Sequence, residues 1–155
     1  MNSAFEAIFA RLRGILEPHS IRFKVTADAP DHYCLEVAFS PRFKKAFPAA
    51  WVKIGKTYVS YHFMPVYMFP KLRERMSDKL RARMQGKSCF NFKVMDETLF
   101  KELEKITAEG FAMCRKAGVA PNSASTSLIH FHGARQVHPQ QPRLTNRPDL
   151  QNREP

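Results

Sequence analysis

Thirteen basic side chains stand between residues 40 and 93: Arg42, Lys44, Lys45, Lys53, Lys56, Lys71, Arg73, Arg75, Lys79, Arg81, Arg83, Lys87 and Lys93. The same stretch holds two acids, Glu74 and Asp78. The 155-residue chain has a net charge of +11, and this stretch carries all of it, because the flanks sum to zero. A local excess of this kind suits phosphates and acidic groups. Arginine grips them with a bidentate fork and lysine acts as a point charge. Lys53, Lys56, Arg75, Lys79, Arg83 and Lys87 are the candidate anion-binding residues. If residues 70–85 form one helix, Lys71, Arg75, Lys79 and Arg83 fall at i+4 spacing and repel by a few tenths of a kcal/mol per pair. An anionic partner relieves that repulsion. The same pattern also serves as a solvated face that keeps a protein in solution.

Nucleic acid is one such partner, and its recognition adds stacking aromatics beside the cations. Tyr58, Tyr61, Tyr67 and Phe69 are candidates, although Tyr61 and Phe63 share a strand face with Val59 and read as core. No RNP motif, GXXG clamp or zinc finger occurs, so the match rests on charge.

A second constellation centres on His62. In the strand-like run Tyr58–Met64, alternation puts Tyr58, Ser60, His62 and Met64 on one face, a possible pocket. With Cys34 or Cys89 from a neighbouring strand, His62 would make a thiol–imidazole pair. The plainer reading is a sheet-surface histidine with a local hydrogen bond. The cysteines number three, Cys34, Cys89 and Cys114, with no CxxC pair. That excludes a disulfide scaffold and favours reduced core residues in a cytoplasmic protein. His130, His132 and His138 offer only an adventitious chelate. Glu97, Glu102, Glu104 and Glu109 are interleaved with Lys101 and Lys105, which makes a salt-laced helix face. Phosphate-loop, dinucleotide, zinc-protease and nucleophile-elbow motifs do not occur. No catalytic residue, metal ligand or cofactor is assigned.

The elements that must position these groups follow from periodicity. Residues 3–17 read as an amphipathic helix, with Phe5, Ile8, Phe9, Leu12, Ile15 and Leu16 on one face and Ser3 with Glu6 as a capping box. Strand patterns run from Arg22 to Ala27 and from His32 to Phe39, separated by a turn at Asp28–Asp31. Ser40–Pro48 reads as a loop. Trp51–Ile54 and Thr57–Met64 read as a hairpin about Gly55-Lys56. Val66–Phe69 reads as a loop between Pro65 and Pro70. Leu72, Met76, Leu80 and Met84 mark a helix, or two short helices if Ser77 is a cap. Ser88–Val94 is a strand. Asp96 caps a last helix whose buried stripe is Leu99, Leu103, Ile106, Gly110, Met113 and Ala117, ended by Gly118. The fold expected is α+β: an antiparallel sheet of about five strands with helices on one face.

Residues 1–118 then form one domain, and the Pro-, Asn- and Gln-rich residues 119–155 a disordered tail. With 44% hydrophobic and 25% charged residues, the composition excludes wholly disordered, collagen-like and coiled-coil chains. No apolar run is long enough to span a bilayer, and Glu6, Arg11 and Arg13 interrupt the first apolar pattern, so neither a membrane span nor an export signal is expected.

The hairpin Lys53–His62, a helical stretch, Gln85-Gly-Lys-Ser-Cys-Phe-Asn-Phe-Lys93 and Asp96-Glu-Thr-Leu-Phe-Lys-Glu-Leu103 follow one another in an order that resembles the YdhG-like domains of unknown function, over about residues 50–117. The resemblance implies a small bacterial cytoplasmic α+β domain. Some members of that group are described as frataxin-like iron chaperones. Iron delivery wants hard oxygen ligands in an acidic patch, and the middle of this chain is basic. The resemblance therefore lends its fold and no iron-binding residue. Three functions stand in order: a non-enzymatic module whose basic face binds a phosphate-bearing small molecule or nucleic acid, a metal-handling chaperone, and an enzyme using Cys34, Cys89 or His62.

Overall fold

The structure, a computed structural model, describes residues 2–121. The first helix, α1 (Ser3–Leu16), begins where the Asn2 side chain accepts from the Ala4 N–H at 3.0 Å. The cap is thus Asn2, one residue before the expected Ser3, which is already helical. Ile8, Phe9, Leu12, Ile15 and Leu16 are buried, as their spacing requires. A single 3-10 turn over Glu17–His19 ends this segment at Pro18.

Six strands follow in one antiparallel sheet: β1 (Lys24–Ala29), β2 (His32–Val37), β3 (Phe47–Ile54), β4 (Val59–Phe63), β5 (Met84–Gln85) and β6 (Cys89–Phe92). Their spatial order is β1-β2-β3-β4-β6-β5. The sheet has one strand more than expected, because β5 is two residues long and carries no alternation to read. Strand β3 starts at Phe47, inside the expected loop, since Glu36 and Val37 of β2 pair with Pro48 and Phe47. The β3–β4 turn spans Gly55–Tyr58, closed by the Gly55 N–H donating to the Tyr58 carbonyl at 2.8 Å. It is four residues long rather than the expected two.

Between β4 and β5 lie three short helices, α2 (Met64–Met68), α3 (Lys71–Glu74) and α4 (Asp78–Arg81). The expected Val66–Phe69 loop is helical through Met68, with Pro65 in the first turn, where its missing N–H costs no bond. Ser77 splits the next stretch. Its backbone is extended and its side chain accepts from the Leu80 N–H at 3.1 Å. The two-helix alternative therefore holds, and the single i+4 strip of Lys71, Arg75, Lys79 and Arg83 does not form. The last helix, α5 (Glu97–Lys116), is capped by Asp96 as expected. Past Gly118 (φ 69°) the chain stays packed: Val119 and Ala120 are buried, and both N–H groups donate to the Cys114 carbonyl. The body thus reaches two residues beyond the expected boundary. The rest of the expected tail, with His130, His132 and His138, lies outside the described residues. No helix among the described residues is long and apolar enough to cross a membrane.

All the helices lie on one face of the sheet. Tyr33, Leu35, Val37, Ala50, Val52, Val59, Tyr61, Phe63, Phe90 and Phe92 point toward them and are buried. Side chains join α5 to β4. The Tyr61 hydroxyl meets the Thr107 hydroxyl at 2.6 Å in the buried core, so two polar groups leave water together and satisfy each other. One turn further on, Gly110 sits over the Phe63 ring, where a Cβ would come within 2.5 Å of ring carbon Cε1 and 3.0 Å of Pro65 Cβ. Phe63 is fully buried and has nowhere to move.

Gly110→Ala is therefore expected to destabilise the fold. Overpacking costs about 1–3 kcal/mol, offset by up to about 1 kcal/mol of helix propensity. Urea unfolding followed by circular dichroism checks it. An unchanged or raised midpoint would show that the seam has slack.

Candidate functional site

With every helix on one side, the other face of the sheet is bare among the described residues. Cross-strand register builds a row along it: Cys34 of β2 opposite Trp51 of β3, Trp51 opposite His62 of β4, and His62 opposite Cys89 of β6. The next row is His32, Lys53, Ser60 and Asn91. The Trp51 indole and His62 imidazole stack with centroids 4.2 Å apart and 10° between planes. His62 Nε2 lies 3.3 Å from Cys89 Sγ, and the Cys89 thiol donates to Asn91 Oδ1 at 3.3 Å. Asn91 Nδ2 in turn donates to Gln85 Oε1 at 2.6 Å. One continuous chain of contacts thus crosses β3, β4, β6 and β5.

The structure brings together two members of the expected thiol–imidazole constellation, His62 and Cys89. Cys34 is separated from them by the Trp51 ring and lines an open hollow of about 200 Å³ with His32, Pro48 and Trp51. Of the expected pocket residues, Ser60 and His62 share the bare face. Tyr58 belongs to the β3–β4 turn and Met64 to the start of α2. Cys114 is buried in the main core cluster as expected, with burial pushing its thiol up to about 12, Cys34 is buried outside that cluster, and Cys89 is half-buried. Cys34 and Cys89 lie on the bare face, because Cys34 alternates out of phase with Tyr33 and Leu35, and Cys89 with Phe90.

Burial has one consequence for His62 and Cys89. Loss of water lowers the imidazole and raises the thiol from their ordinary values. Both shifts favour the neutral forms. The pair is a thiol beside a neutral imidazole, and among the described residues no cation shifts the thiol toward thiolate. No group of three or more His, Cys, Asp and Glu side chains arranged to hold a metal ion occurs among the described residues.

The six expected anion-binding residues are dispersed. Lys53 stands on the bare face and Lys56 in the β3–β4 turn. Arg75 caps α3 and holds Glu109 of α5 at 2.7 Å. Lys79 is exposed on α4, and Arg83 follows it, half-buried. Lys87 sits in the β5–β6 turn, its Nζ 5.4 Å from the centre of the Tyr67 ring. There it shares a cleft of about 220 Å³ with Val66, Tyr67, Pro70 and Arg73. Arg73 and Trp51 are the residues that sequence reasoning passed over. The signal for Trp51 was its phase, one residue from buried Val52. Arg73 had no signal, because the fold alone brings α3 beside the β5–β6 turn.

The neutral pairing sets an expectation for thiol chemistry. At pH 7, Cys89 should react with iodoacetamide more slowly than an exposed cysteine, with a rate still rising above pH 9. His62→Ala should speed the reaction by readmitting water to the sulfur. Mass spectrometry of the alkylated peptide checks both. Slower alkylation in His62→Ala would instead mark His62 as an activating base.

No protein-family model, no curated protein and no solved structure matches this chain.

Proposed function

We propose that this domain is a non-enzymatic binding module for a phosphate-bearing anionic partner, engaged at the cleft between Arg73 and Lys87. The observation that supports it is unmatched charge. Outside the basic stretch the arginines of α1 are paired: Arg11 with Glu97 and Glu104 at 2.7 and 3.3 Å, and Arg13 with Glu17 and Asp28 at 2.7 and 2.9 Å. Of the 13 cations in residues 40–93, only Arg75 and Arg81 hold an ion pair among the described residues, with Glu109 and Asp78. The rest keep their hydrogen-bonding capacity for a ligand.

The cleft concentrates two of them. Arg73 offers a planar fork for two oxygens and Lys87 a mobile ammonium. Tyr67 holds Lys87 over its ring, a cation–π contact that limits the lysine's wandering. The volume is below that of sites that engulf a metabolite. It suits one phosphate group of a larger partner.

A second reading, thiol chemistry at Cys89, has the 3.3 Å contact with His62 in its favour. The neutral state of both groups makes it the weaker one. Iron handling rests on the resemblance alone.

Titration of labelled duplex DNA with the full chain tests the proposal. Log affinity is expected to fall linearly with log salt, by about 0.9 per phosphate neutralised. Arg73→Ala with Lys87→Ala should weaken binding and lower the slope by about two, one for each lost phosphate contact. Absence of binding at low salt, or a double variant with unchanged slope, would overturn it.

A further inference from the structure

The bare sheet face carries an aromatic feature that the charge argument does not use. Strand β3 lies between β2 and β4, so Trp51 has a neighbour on each side. On the β4 side, His62 covers one face of the indole in a parallel stack. On the β2 side, Trp51 borders the open hollow of about 200 Å³ whose remaining walls are His32, Cys34 and Pro48. A flat ring entering that hollow would extend the existing stack by one member. Beside it, in the adjacent cross-strand row, stands Lys53, exposed and directly opposite His32. An apolar slot against an aromatic plane with a lysine alongside is the arrangement that takes a base and the phosphate attached to it.

We infer that this face is a stacking platform for an unpaired base of single-stranded nucleic acid, with the base against Trp51 and the flanking phosphate at Lys53. The inference rests on the anionic-partner reading and names its class. A single strand is favoured over a free nucleotide by the shape of the hollow. It is shallow and open, whereas sites for small ligands bury most of the ligand surface. A base within a strand is held in place by its neighbours, whose phosphates would meet Lys53 and Lys56. A duplex is disfavoured because its bases are already stacked on each other and cannot reach a slot on a sheet surface. Charge complementarity points the same way, since the chain has a net charge of +11 and Lys56, in the turn that follows Lys53, continues the positive edge.

Trp51 is the one tryptophan of the chain, so its emission reports this site alone. The full chain is titrated with oligothymidylate of about a dozen nucleotides, a common footprint for such surfaces. Parallel titrations use an abasic strand of equal length, the matching duplex and thymidine monophosphate. Tryptophan emission and the anisotropy of labelled strands are read together. Oligothymidylate is expected to quench Trp51 strongly, and the abasic strand to bind without quenching. Trp51→Ala should lower affinity for oligothymidylate by about tenfold or more and leave the abasic strand unaffected. Trp51→Phe, which keeps a ring on the same face, should restore most of the loss. Oligothymidylate that binds by anisotropy without quenching would overturn the platform and leave the anionic-partner reading standing. Equal quenching by the abasic strand would overturn it too, as a charge effect at a distance. Quenching by the monophosphate at equal nucleotide concentration would replace the strand with a free nucleotide. Failure of every strand to bind at low salt would remove both readings together.

Discussion

The packing of α5 on β4 governs which side of the sheet is available. Gly110 lets the helix backbone descend onto the Phe63 ring, and Thr107 ties it to the Tyr61 hydroxyl. Phe111, the next residue, closes an aromatic cluster with Phe23 at 4.5 Å, Phe63 at 5.0 Å and His19 at 4.8 Å. Burial raises the Tyr61 hydroxyl far above its ordinary range, so the bond to Thr107 stays a neutral hydrogen bond at any physiological pH. With α1 beside α5, and α2 to α4 beneath its length, one face of the sheet is fully occupied. Since sheet side chains alternate, half of every strand must then face outward. Among the described residues no element covers that half.

What stands on the open half is not a typical solvated surface. Antiparallel sheets with one wet face usually read polar on that side. Here the central row is Cys34, Trp51, His62 and Cys89, and it is partly self-sheltered by the indole–imidazole stack. The stack is worth about 0.5–1.5 kcal/mol as an aromatic pair, and it half-buries the polar atoms of His62 and Cys89 without a charge to compensate them. Asn91 answers for the thiol and Gln85 for Asn91. This polar chain stabilises the short β5–β6 hairpin, which would otherwise rest on two cross-strand pairs. The same residues thus give the sheet edge its rigidity and the bare face its chemistry.

Sequence reasoning recovered the inner faces well, because alternation in β2 and β4 and the 3.6-residue period in α1 and α5 are local signals. It recovered the caps at Asp96 and the stop at Gly118 for the same reason. It missed the start of β3 at Phe47, where pairing with Val37 overrides the loop signal of Pro48. It missed β5, which is strand only because Met84 and Gln85 face Phe90 and Cys89. The site itself was half legible. Cys89 and His62 were paired as types, but Trp51 enters only through the register that sets β3 between Cys34 and His62. Register of this kind depends on the whole sheet, and no window of the chain contains it.

The basic stretch shows the same division between local and global. Ser77 breaks what periodicity alone presents as one cationic helix, and the reason lies on α5. Glu102 accepts from both the Ser77 N–H at 2.6 Å and the Ser77 hydroxyl at 2.8 Å. That anchor holds Ser77 at the break between α3 and α4, so Arg75 and Lys79 belong to different helices. Of the charges that would repel along one strip, Lys71 stands on α3, Arg75 caps it, Lys79 stands on α4 and Arg83 follows it. A spread charge of this kind attracts polyanions from a distance and selects little among them. Selection then requires a feature with a shape and an orientation. The Trp51–His62 stack and the Arg73–Lys87 cleft are two features with a shape and an orientation. In the binding proposed, attraction and discrimination would therefore come from different parts of this fold: the first from dispersed cations, the second from groups that the sheet register and the α3 position hold in place.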